Sequence, residues 1–69
     1  MATAETRRFI RLPKVQEVTS LSRTEIYRRM KSGNFPDSVK LAPGHTVWVE
    51  SEVLSWMDAR IAEARGEAA

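Results

Sequence analysis

The chain has 69 residues, room for one small domain; with no cysteine and a single histidine, it excludes disulfide staples, thiolate metal sites and multi-histidine cages. Apolar residues make up 42%, which suits a globular chain, and no apolar run approaches the ~18 residues of a membrane span. The formal charge of +2 divides unevenly: residues 1–45 carry nine Lys or Arg against four acids, a net +5, and residues 46–69 carry two against five, a net −3.

The opening Met1-Ala2-Thr3-Ala4-Glu5 lacks the hydrophobic block of a secretory signal. Residues 1–6 are expected to be disordered, residues 7–65 to form the domain, and residues 66–69 to be a disordered tail. Phe9 to Leu12 reads as a short extended segment. Pro13, well tolerated at the first helical position, then opens a short helix to Val18 with Val15 and Val18 on one face; Thr19 and Ser20 stop it.

The strongest local signal follows. Ser22-Arg23-Thr24-Glu25 matches a capping box, and Leu21 and Ile26 stand at the positions of a hydrophobic staple. A second helix is therefore expected over about 23–32, ended by Gly33 in a left-handed conformation, with Lys31 near the negative end of the dipole. Val39-Lys40-Leu41 and Thr46-Val47-Trp48-Val49 read as two strands joined by the turn Ala42-Pro43-Gly44-His45. A third helix begins near Glu50 or Ser51 and runs to Arg65, with Val53, Trp56, Met57, Ile61 and Ala64 as its apolar stripe.

Two short helices joined by a three- to four-residue turn, a hairpin and a closing helix predict an α+β, mostly helical fold: a small winged helix-turn-helix with three helices and a two-stranded β-hairpin wing. The expected core is Leu12, Val15, Val18, Leu21, Ile26, Met30, Phe35, Val39, Leu41, Trp48, Val53, Trp56, Met57 and Ile61.

Winding the second helix at 100° per residue puts Ile26 and Met30 inside. Thr24, Arg28 and Lys31 fall at about 160°, 200° and 140° from Ile26, with Tyr27 at about 100° and Arg29 at about 300°. Arg23 sits at the N-terminus, where a docked recognition helix comes nearest to base edges. Arg can grip guanine with a fork of donors, Thr can meet thymine, and Tyr and Lys can reach phosphates. Singly these are ordinary solubilising residues, and Tyr27 is equally suited to covering the core edge. Together with turn, capping box and wing they point to double-stranded DNA. Lys40 and His45 are candidate wing contacts, Arg11 and Lys14 candidate phosphate contacts; Arg7, Arg8 and Arg11 form a basic arm. No cofactor or metal is called for. With no glycine-rich phosphate loop, and no serine or cysteine placed near His45 as a partner, enzyme chemistry is not expected.

Arg11-Leu12-Pro13-Lys14-Val15 and Leu21-Ser22-Arg23-Thr24-Glu25-Ile26-Tyr27-Arg28 resemble the AlpA family of prophage regulators. Gly33-Asn34-Phe35-Pro36, Val39-Lys40-Leu41 and Trp48-Val49-Glu50-Ser51-Glu52-Val53-Leu54-Ser55-Trp56 continue the match in order, over about residues 8–62. The resemblance implies a winged helix-turn-helix related to excisionase and MerR-like domains, which binds duplex DNA near integrase genes or attachment sites of mobile elements. Carried over by position, recognition-helix contacts fall on Arg23, Thr24, Tyr27, Arg28 and Lys31. The wing departs from the pattern: Pro43-Gly44-His45-Thr46 lacks the frequent arginine, and Val49 stands where a basic residue is common. The implied roles are transcriptional regulator and excisionase (recombination directionality factor). The implied partners are double-stranded DNA, an integrase, and a second copy on DNA through dimer or head-to-tail contacts. The expected location is cytoplasmic and nucleoid-associated, with no membrane contact. The alternative is a protein-binding winged-helix module that does not itself bind DNA.

Overall fold

The computed structural model describes residues 7–66. Its elements follow in the order β1 (Phe9–Ile10), α1 (Leu12–Thr19), α2 (Arg23–Lys31), β2 (Val39–Ala42), β3 (His45–Val49) and α3 (Glu50–Arg65). The expectations for residues 1–6 and 67–69 lie outside the described residues; Gly66 is the C-cap of α3. The architecture is the expected α+β winged helix-turn-helix. Among the described residues no helix is long and apolar enough to cross a membrane.

The wing is larger than a hairpin. β3 is the central strand of an antiparallel sheet ordered β1-β3-β2. Phe9 faces Val49 and Ile10 faces Trp48 on one side; Val39 faces Val47 and Lys40 faces Thr46 on the other. Pro43 followed by Gly44 at φ 75° is the pattern of a type II turn. That turn type twists against the strands it joins. The ladder is interrupted just before it, between Lys40 and Ala42. The bulged residue, Leu41, has no cross-strand partner and is 48% exposed, so it is not the core residue expected.

Backbone groups set the helix ends as much as side chains do. α1 starts one residue early because the Arg11 carbonyl accepts from the Lys14 and Val15 amides, both at 3.0 Å. Its end is tied by the Thr19 hydroxyl, which donates to Val15 O at 2.7 Å and accepts from the Leu21 amide. Ser20 then turns the chain at φ 63°. α3 has no side-chain cap. Its first amide, Glu50 N, donates instead to the Arg8 carbonyl at 2.7 Å, so the chain entering β1 satisfies the start of α3.

The capping box of α2 is complete: Glu25 N donates to Ser22 Oγ and Ser22 N to Glu25 Oε1, each at 3.1 Å. Both staple residues, Leu21 and Ile26, pack into the core. At the other end Asn34 N donates to Arg29 O and Gly33 N to Met30 O, a Schellman motif that Gly33 permits at φ 79°. The helix stops at Lys31 with Ser32 as C-cap, one residue short of expectation. Ser22→Ala is expected to cost about 1 kcal/mol, a fall of roughly 4–8 °C in Tm for a domain of this size; an unchanged melt would contradict the cap.

The Ser22 backbone N–H is the main cause holding the Glu25 carboxyl below its ordinary value of 4.5; desolvation opposes it, and the Ser22 hydroxyl, Arg28 and Arg29 reinforce it. A lowered carboxylate stabilises the fold fully above its unfolded value, and that stability is lost as pH falls through the folded value. Glu25→Gln, which keeps an oxygen acceptor, should therefore flatten the loss of Tm on acidification below about 4.5. Melts taken from neutrality down through the carboxylate range check this; parallel curves would contradict it.

The core is Ile10, Val15, Ile26, Phe35, Trp48 and Val53, flanked by half-buried Leu12, Val18, Leu21, Met30, Trp56 and Met57. Val47 is buried as well, so the central strand is covered on both faces. Ile10 and Val47 were not expected there; the first needs its pairing with Trp48, the second its place in a middle strand. Ile61, expected inside, is 42% exposed: it lies two turns beyond Val53, past the part of α3 seated on the core, and lines a groove instead.

Candidate nucleic-acid interface

α2 presents the expected face. Ile26 is fully buried and Met30 half-buried, while Arg23, Thr24, Tyr27, Arg28 and Lys31 are all exposed. Tyr27 covers the core edge and is still exposed. Its ring meets that of buried Trp48 edge-on at 6.2 Å, yet it keeps 38% exposure. The Arg23 guanidinium lies 5.6 Å above the Tyr27 ring. A core tryptophan thus sets the tyrosine, and the tyrosine steadies the first arginine of the helix. Glu25, the one acid in α2, is turned away and held by Ser22. The arc from Arg23 through Lys31 therefore carries cations, a hydroxyl and a phenol with no carboxylate among them.

The wing residues divide between the two faces of the sheet. Lys40 and Thr46 are cross-strand partners on the same face as Trp48, the face that meets Tyr27. Lys40 is exposed and Thr46 half-buried. Thr46 was not singled out from the sequence; the register to Lys40 is the signal that reveals it. His45, one residue earlier in β3, alternates to the other face. There Arg11 Nη2 lies 2.7 Å from His45 Nε2. Guanidinium has no acceptor, so in this contact the Arg11 N–H is the donor. Two residues far apart in sequence are thereby joined, and the pair ties the entry to α1 to the wing.

The remaining basic residues are partly engaged. Lys14 lies 3.6 Å from Glu17, an exposed pair of little strength. Arg8 lies 3.3 Å from Glu50 through Nε, so this part of the arm clamps the start of α3. Arg29, at about 300° on the α2 wheel, leaves the exposed arc. It lies instead over the Trp56 ring at 5.8 Å, with Arg60 over the same ring at 5.4 Å. Nothing local predicts that cluster, because its members come from different helices.

The fold and this surface can be set beside known proteins. A family model described as prophage CP4-57 regulatory protein (AlpA) matches residues 8–61. The chain belongs to the AlpA family. Among curated proteins, an uncharacterized protein, ORF88 of Enterobacteria phage P4, is 44% identical over 55 residues. That match takes in 80% of this chain and 62% of the relative, so the chain spans under two thirds of the phage protein. No solved structure matches. The AlpA match runs from the Arg8 clamp to Ile61 and so contains α2, the wing and the Arg11–His45 pair.

Proposed function

We propose that this AlpA-family chain is a sequence-specific double-stranded DNA-binding protein, acting as transcriptional regulator, as excisionase, or as both, for a prophage or integrative element. α2 enters the major groove with Arg23 and Arg28 toward base edges and Thr24 beside them. Tyr27 and Lys31 contact the backbone. Lys40, with Thr46, approaches from the wing, while Arg11 and Lys14 lie along phosphates. His45 orients Arg11 and borders the same strand. The observation that carries this reading is the α2 arc: five exposed groups suited to DNA, no carboxylate among them, braced by Tyr27 on Trp48.

Arg28→Ala is expected to weaken binding to the best site by ~1–3 kcal/mol and to relax preference at one base position. Competition titrations across a randomised site library measure both. Uniform weakening of all sequences would assign Arg28 to a phosphate and remove it from base reading.

Footprinting with a bending assay on native DNA separates the two roles. A single short protected site at a promoter supports regulation. Adjacent cooperative sites with bending inside an attachment site support excision alongside an integrase, with copies in contact on the DNA. Unchanged mobility of duplex DNA at low salt across the library would defeat DNA binding itself and leave the protein-binding alternative.

A further inference from the structure

A second surface lies off the α2 arc. The end of α1, the Arg29 side of α2 and the middle of α3 border a groove of about 360 Å3, lined by Thr19, Arg29, Trp56, Met57, Arg60 and Ile61. Its floor is fixed. The Trp56 indole N–H donates to Asn34 O at 2.7 Å, and the ring meets buried Phe35 edge-on at 4.8 Å. Over that ring stand two guanidinium groups, Arg29 and Arg60. Beside it Ile61, 42% exposed, and Met57 offer apolar surface. Among the described residues the groove lining holds no carboxylate, and Glu63 reaches Arg60 from outside it.

We infer that this groove, with Arg29 and Arg60 above Trp56, Met57 and Ile61, is a docking site for a partner protein's short peptide segment that sets a carboxylate beside an apolar side chain. Charge complementarity selects the carboxylate, since a guanidinium fork matches its geometry. The apolar floor selects the neighbouring side chain. Arg60 already engages one carboxylate from outside the groove: Glu63 Oε2 accepts from Arg60 Nη2 at 2.8 Å, although the Glu63 side chain is 71% exposed. So open an ion pair is weak and readily exchanged for an incoming carboxylate. Arg60 Nε, by contrast, is buried with no acceptor among the described residues. Arg29 points away from Arg28 and Lys31 by about 100° or more around α2. The groove can therefore be filled while the α2 arc is occupied, and the inference does not rest on DNA binding.

The test uses the full chain, 15N-labelled, and a set of acetylated tetrapeptides that pair Leu or Phe with Asp or Glu in either order. Asn and Gln counterparts and inorganic phosphate serve as controls. The expected result is saturable shifts at Thr19, Arg29, Met57, Ile61 and the Trp56 indole N–H, with residues 23, 24, 27 and 28 unmoved. Amide counterparts should bind about tenfold more weakly. Arg29→Gln and Arg60→Gln should each reduce binding, and Glu63→Gln should tighten it by removing the internal competitor, a gain that misfolding does not mimic. Equal binding of the amide peptides, the same shifts with phosphate alone, shifts centred on the α2 arc, or no shift across the set would overturn the proposal. So would concentration-dependent shifts at these residues without peptide, which would assign the groove to a second copy.

Discussion

Trp48→Ala is expected to abolish the cooperative fold. The side chain is fully buried in the centre of the sheet, opposite Ile10, with Tyr27 against its edge. Truncating a buried tryptophan costs ~3–5 kcal/mol through lost burial and the cavity left behind. A domain this small holds only ~3–5 kcal/mol in total. The loss therefore matches the whole margin, and no cooperative thermal transition should remain. Trp48→Phe should be far milder, because it keeps an aromatic ring and deletes an indole N–H that is buried without an acceptor. Circular dichroism melts and amide dispersion distinguish the cases. A Trp48→Ala protein that melts cooperatively within a few degrees of the parent would show that the sheet and α2 are held by other contacts.

The second large effect is on affinity. Arg23, Arg28, Lys31, Arg11, Lys14 and Lys40 supply six cations to the proposed interface, and among the described residues no buried ion pair neutralises any of them. The four backbone-facing cations alone give a log–log salt slope of about −3.6 on duplex DNA, and all six about −5.4. Raising salt from roughly 50 to 200 mM should then weaken binding by about two to three orders of magnitude. Anisotropy titrations of a labelled duplex measure the slope. A value near zero would mean that the cations stay outside the interface.

How far the sequence foretold this molecule depended on whether a feature is local. α2 was legible almost to the residue because its start is written in side chains, Ser22 and Glu25, and its end in Gly33. The exposed arc followed from helical period alone. β1 was legible only as an extended stretch. Two residues carry no periodicity, and their partner, β3, lies nearly forty residues later. The start of α3 could not be fixed between Glu50 and Ser51 because its cap is a backbone carbonyl, that of Arg8, which no side-chain pattern encodes. Leu41 looked like core by strand alternation, and a bulge turned it outward. Arg11 and His45 were each chosen for charge or place in a turn, but their 2.7 Å contact needed the fold. The Arg29–Trp56–Arg60 cluster joins α2 to α3, and neither helix announces it alone.

The most direct check is a titration of 15N-labelled protein with a short duplex at low salt, read amide by amide. The predicted outcome is that the largest shifts fall within residues 23–31, with smaller ones at Arg11, Lys40 and Thr46 and little change along α3. Shifts concentrated elsewhere, with residues 23–31 left where they were, would contradict the assignment of α2 as the DNA-reading element.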